Sequence, residues 1–429
     1  MDVGKMMEFF NPRMIMYLLI GLAIIYVVIS VFKNWSNVSS PGNISAIIKS
    51  QNALLESRWS GNLQMRQGIT RGFIQVPQPQ QLLINTAVLS TRLIGYLGPF
   101  SSGVFDEDNA TRLALTSGSR CLVLEIDYMN NTFEPILVYR DGWGSNQSLN
   151  TGNIRNVAAS ISARAFKPDN NGAPASVASD PLILVLYFVR APNKSTQPIE
   201  YVKYLGAVAE QLAPLKDYIL AQTPQGDFRR QALESQLFFT SYTAFQNKII
   251  VLTNADTTPF RNLNNIGLGG QIGITQDLDF MVNARLYSRE SPSPFGITGS
   301  PISNVKPAAV ITSANYWLMT PSDRIESAVQ STKEAWTLVM PPVSSETNQI
   351  NEKDMNSLLS VYGVNSIPIT LFSDSLNTDI FTGKGKPFNM TSWVAKPNPI
   401  QYIPPVPISI AKPFPQANSG GGTVIAPKL

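Results

Sequence analysis

The sequence predicts an α/β domain, either a mainly parallel sheet or a closed (β/α) TIM-type barrel, set behind one membrane-spanning helix. Three observations point there. Short apolar runs rich in β-branched residues recur through residues 78–400, and stretches with apolar residues at helical spacing fall between them. Ahead of them all lies an uncharged apolar run, Met14 to Phe32, bracketed by Arg13 and Lys33.

Residues 1–13 form a short N-terminal segment. Residues 14–32 approach the roughly 20 apolar residues that a spanning helix needs, and no small-x-small cleavage pattern follows, so a retained single-pass anchor is expected rather than a signal peptide. Residues 33–77 read as a stalk: a polar linker from Asn34 to Pro41, then a helical pattern from Asn43 to Trp59. The barrel domain is expected over 78–400. Its strand candidates are Leu82 to Ile84, Cys121 to Ile126, Pro135 to Tyr139, Pro181 to Val189, Lys248 to Thr253, Ala308 to Thr312 and Ile367 to Phe372. These runs hardly alternate, the pattern of strands covered on both faces. Helices are expected at Asn153 to Phe166, Glu200 to Gln222, Asp323 to Trp336 and Glu352 to Val361. Residues 401–429 are rich in proline and glycine and are not expected to order on their own.

Composition narrows the function. Lysine and arginine exceed aspartate and glutamate by 33 to 29, and charged residues are 14% of the chain, so no nucleic-acid surface is expected. With one cysteine, Cys121, no intrachain disulfide can form, and its place in an apolar run marks it as a core thiol. The chain has no histidine, the side chain that ordinarily exchanges protons near neutral pH. No cofactor is expected. Trp143 and Trp393, near predicted strand ends, are candidates for lipid contact or for packing.

The run Gly118-Ser-Arg-Cys-Leu-Val-Leu-Glu-Ile-Asp127, then Glu134-Pro-Ile-Leu-Val-Tyr139, Ile154 to Phe166 and Asp180-Pro-Leu-Ile-Leu-Val-Leu186, resembles in order and content the X region of phosphoinositide-specific phospholipase C. Looser matches at Ile84-Asn85, Lys248 to Val251 and Trp393 to Pro397 extend the resemblance over roughly residues 80 to 400. It implies a distorted (β/α) barrel with its chemistry at the C-terminal ends of the strands. It also implies two histidines, one to deprotonate the inositol 2-hydroxyl and one to stabilise the cyclic-phosphate transition state. Their positions fall on Val88 and Arg140, neither of which is a base at neutral pH. Glu125 and Asp127 keep the spacing of two ligands in calcium-dependent members, but the next carboxylate falls on Tyr187 and the expected lysine grip reads Leu252-Thr253-Asn254. Calcium takes six to eight oxygens, so Glu125 and Asp127 are weak metal candidates and no metal site is expected.

The expected function is therefore that of a membrane-anchored, catalytically inactive phospholipase-C-like domain, a structural or interaction module. Its partners would be the lipid bilayer and other proteins of a larger assembly, such as a virion whose internal membrane lies beneath a capsid. The alternatives are a histidine-free phosphodiesterase and a phosphoinositide headgroup-binding tether. At the site itself Arg140 could grip a phosphate. An ion pair of Arg140 with Glu125 or Asp127 is the preferred reading.

Overall fold

A computed structural model describes residues 16–28, 40–59, 66–99, 102–129, 132–140, 144–168, 172–220, 235–290, 295, 306–340, 350–370, 386–388 and 390–405. The expectations for residues 1–13, Trp143 and the tail beyond 405 lie outside them. Residues 16–28 form a helix whose apolar side chains, among them Tyr17, Leu18, Ile24 and Tyr26, are exposed. Among the described residues no helix is long and apolar enough to cross a membrane, and the rest of the expected 14–32 span lies outside them.

The strands are β1 (Thr86–Val88), β2 (Ser90–Thr91), β3 (Tyr96–Gly98), β4 (Val104–Phe105), β5 (Cys121–Tyr128), β6 (Pro135–Leu137), β7 (Leu182–Phe188), β8 (Ile249–Thr253), β9 (Ala284–Ser288), β10 (Ala309–Ser313), β11 (Trp336–Met340) and β12 (Trp393–Ala395). A parallel half-barrel sheet runs in the order β11-β10-β9-β8-β7-β5-β2. β5 pairs in parallel with β7, Cys121 opposite Ile183 and Ile126 opposite Phe188. β6 returns antiparallel along β5, and β12 lies antiparallel on β1. Of the expected run Ile367 to Phe372, residues 371 and 372 lie outside the described ones; the described part and its neighbour Ser366 make isolated bridges. Ser366 bridges both Leu338 of β11 and Val88 of β1, and Ile369 bridges Thr91 of β2.

Apolar spacing marks the helices, and a side-chain cap starts some of them. After the helix at residues 16–28 come α1 (Pro41–Trp59) and α2 (Glu107–Thr116), the latter starting at Asp106, whose carboxylate accepts from Asn109 N at 3.3 Å. Asn153 caps α3 (Ile154–Arg164) in the same way, and α4 (Pro198–Gln211), α5 (Ile325–Glu334) and α6 (Glu352–Ser357) follow. The stalk's helix is docked: Leu55 of α1 is buried in the core, and Glu56 pairs with Arg112 of α2 at 2.6 Å.

Strand geometry splits the core in two. On β5, Leu122, Leu124 and Ile126 face the helices, whereas Cys121 and Val123 face the interior with Ile183 and Val185 of β7 and Trp336 and Leu338 of β11. Interior and wall are both apolar, hence the unalternating sequence.

The interior is closed at the N-terminal ends of the strands by Ile69, Phe73, Phe238 and Trp393. Trp393 is fully buried, which corrects the lipid-contact expectation. Entering and leaving chain meet at this pole. Gln67 bridges Thr391 in parallel, with Gln67 N donating to Met390 O at 3.1 Å and Ser392 N to Gln67 O at 2.9 Å. The packed domain thus begins ahead of residue 78. The expected strand Leu82 to Ile84 is instead mostly a 3₁₀ turn, Leu83–Asn85: the Asn85 amide donates to Gln80 O and the Thr86 hydroxyl to Leu83 O, competing with a ladder.

Candidate functional site

The C-terminal ends of β2, β5 and β7 bring charge together. Glu125 and Asp127, two apart on β5, point to the same side, and Tyr187 stands opposite Glu125 across the β5–β7 ladder. Glu125 Oε1 accepts from Arg92 Nε at 2.7 Å, and both side chains are buried, at 5% and 4% exposure. Asp127 is fully buried and holds two arginines: Oδ2 accepts from Arg140 Nε at 2.5 Å and Oδ1 from Arg190 Nε at 2.7 Å. Tyr128 N donates to the same Oδ1 at 2.7 Å.

The arginines are themselves seated. Arg190 lies over the Tyr128 ring at 4.8 Å and donates to Tyr128 O at 3.0 Å, and Arg140 Nη1 donates to Gly144 O at 2.9 Å. Burial alone would lower the pKa of Arg92, but Glu125 beside it outweighs burial and raises it. Burial, then the Glu125 charge, pushes the Tyr187 phenol up. Burial lifts the Cys121 thiol to about 11; Ser366 donates to its sulfur at 3.4 Å.

Glu125, Asp127, Arg140 and Tyr187 therefore gather at one mouth, with Arg140 on Asp127. Val88 is not there. It lies 1% exposed in the interior cluster, its N–H bonded to Asn365 O at 2.8 Å. Arg92, four residues on and just past the end of β2, is the side chain delivered to the mouth instead. Sequence reasoning missed Arg92 and Arg190; the signal was a single arginine just past a strand-like run, Ala87 to Thr91 in one case and Pro181 to Val189 in the other.

A calcium ion does not fit this donor set. Both oxygens of Asp127 and one of Glu125 already accept from guanidinium groups, and among the described residues no group of three or more His, Cys, Asp or Glu could hold a metal.

No protein-family model matches the chain, and no curated protein matches it. Several solved structures do. The L. pealei PLC21 structure is 15% identical, with a TM-score of 0.49 over 74% of this chain and 38% of that one. The chain thus spans well under half of that protein. A calcium-dependent phosphoinositol-specific phospholipase C from Pseudomonas sp. is 11% identical, with a TM-score of 0.41 over 74% of this chain and 96% of that one. A Ca²⁺-dependent phosphatidylinositol-specific phospholipase C from Streptomyces antibioticus is 10% identical, with a TM-score of 0.42 over 73% and 99%. At these identities and TM-scores the likenesses carry nothing about chemistry.

Proposed function

We propose that this chain is a membrane-tethered phospholipase-C-like barrel without turnover, a structural or interaction module of a larger assembly. The observation that carries the reading is the mouth itself: its two carboxylates are committed to three arginines, in a chain with no histidine. Arginine keeps its proton at neutral pH, and Tyr187 is pushed away from neutrality, so neither serves as a base there. In this reading residues 364–370 complete a closed barrel, and the exposed apolar helix at 16–28 belongs to a bilayer anchor.

The test is a turnover assay of the full chain on phosphatidylinositol vesicles and on glycosylphosphatidylinositol, with and without calcium. No released headgroup is expected. Turnover that Glu125→Gln abolishes would replace this reading with a histidine-free phosphodiesterase.

The headgroup-binding tether is the second reading, favoured by one observation. Three arginines face two carboxylates, and Arg140 and Arg190 keep 23% and 36% of their side chains exposed. Sedimentation with phosphoinositide vesicles, set against phosphatidylcholine vesicles, separates tether from scaffold.

A further inference from the structure

We propose that Lys396 is a modification site for carbon dioxide: its side-chain amine, seated beside a small apolar cavity outside the charged mouth, takes up the gas as a carbamate.

The seat suits an uncharged amine. Lys396 follows β12, where its N–H bonds Asn85 O at 2.9 Å, and Val394, two residues before it, points to the same side. Nζ donates to Thr332 O at 3.1 Å and to Asn365 Oδ1 at 3.4 Å. The Asn365 amide is held from turning, because its Nδ2 donates to Ile84 O at 2.9 Å and to Thr86 O at 2.7 Å, which keeps Oδ1 toward the lysine. Two acceptors match the two N–H bonds of a neutral amine and leave its lone pair unengaged. An ammonium there would bury a third N–H without an acceptor. Among the described residues no carboxylate pairs with Lys396: Glu352 of α6 is taken by Lys386 at 2.6 Å, and the charge that acts on the amine is that of Lys333 on α5. Burial, then that like charge, lowers the amine to about 7, so free base is abundant at neutral pH.

The cavity selects the reagent. It measures about 120 Å³, and Ala87, Leu359, Pro387 and Val394 line it together with Lys396. A cavity of roughly 150 Å³ accepts benzene, so this one suits a small apolar molecule and excludes a sugar, a nucleotide or a lipid headgroup. Carbon dioxide is small and apolar, and it reacts with an amine only in the unprotonated form. The nitrogen lone pair attacks its carbon, the C–N bond forms as one C=O pair moves onto oxygen, and the nitrogen gives up one proton to the buffer. The product is an anion. Lys333, which disfavours an ammonium at this position, favours a carbamate there.

The experiment is carbon-13 NMR of the full chain equilibrated at pH 7 with carbon-13-labelled bicarbonate. A carbamate carbon signal is expected in the wild type and is expected to vanish in Lys396→Met, which removes the amine and keeps an apolar stem. No carbamate signal in the wild type, or one that survives Lys396→Met, overturns the proposal. A second measurement needs no variant: carbamoylation by cyanate, read by peptide mass spectrometry, reports the free amine. Bicarbonate is expected to slow labelling of Lys396 several-fold while the exposed Lys203 and Lys353 label at unchanged rates. Absence of that protection overturns the proposal even if Lys396→Met does not fold. Lipid turnover at the mouth would refute the scaffold reading and leave this inference standing.

Discussion

Lys396 Nζ donates to the main-chain oxygen of Thr332 across 3.1 Å, so a lysine only 3% exposed is held by a carbonyl. Its other acceptor is Asn365 Oδ1 at 3.4 Å, and Lys333 is the charged neighbour. Burial first, and the Lys333 charge second, bring its pKa down from 10.5 to about 7.

Between pH 7 and 10.5 the unfolded chain holds this proton and the folded chain does not, so stability rises with pH across that window and is flat below it. Lys396→Met is expected to remove the slope and to stabilise the domain at pH 7 by about 2–4 kcal/mol. Urea unfolding of both proteins at pH 7 and pH 10 checks this. Equal pH slopes in the two would refute it.

Asp180 gives the opposite sign. Its Oδ2 accepts from Ile69 N at 2.8 Å, and burial, partly offset by Arg120, raises its pKa to about 6. The folded state then binds the proton more tightly than the unfolded state. Its contribution is complete below pH 3.8 and is lost as pH rises through 6. Asp180→Asn, which can still accept from Ile69, is expected to flatten stability between pH 4 and pH 6 and to gain about 1–3 kcal/mol at pH 7. Thermal melts across that range decide it.

Asp127 with its two arginines predicts non-additivity. Either Arg140→Ala or Arg190→Ala leaves Asp127 one guanidinium, for an expected loss of about 1 kcal/mol. The double variant leaves a fully buried carboxylate unpaired, and a loss of about 3–5 kcal/mol is expected. Adding Asp127→Asn should recover part of it. A double-mutant cycle by denaturant unfolding measures the coupling, and strict additivity would show that the pairs do not share Asp127.

Trp336 fills the interior without exposure and stacks on Phe238 with centroids 5.4 Å apart. Trp336→Ala is expected to cost about 3–5 kcal/mol in denaturant titrations. A loss below 1 kcal/mol would mean that the interior collapses around the gap.

What was legible in the sequence follows burial. β5, β7, β8 and β10 are covered on both faces, and their apolar runs located each within a residue or two. β9, Ala-Arg-Leu-Tyr-Ser, alternates between buried and half-buried and offered no run. β11 was hidden because Trp336 also ends the helical pattern of α5, and only the extended backbone at Ala335 separates the two. Amphipathic spacing found α3 to α6, though the expected Glu200 to Gln222 helix ends at Gln211 ahead of a 3₁₀ turn at Ala213–Leu215, and the last turn of the expected Glu352 to Val361 helix widens into a π-helix over Leu358–Tyr362. At the site, local spacing placed Glu125 and Asp127 correctly on one strand face. Their partners Arg92 and Arg190 come from just past the ends of other strands, 33 and 63 residues away, a separation that no local pattern encodes.

The bridge between Gln67 and Thr391 has a mechanical meaning. Because the incoming and outgoing segments run parallel there, a pull that separates the domain's two ends loads the Gln67–Met390 and Ser392–Gln67 bonds together, in shear, before tension reaches the sheet. In single-molecule pulling from residues 66 and 405, this clamp should rupture ahead of the sheet, and Gln67→Pro, which deletes one donor, should lower the rupture force. A domain built this way carries load at one pole and leaves the charged mouth at the other unstrained.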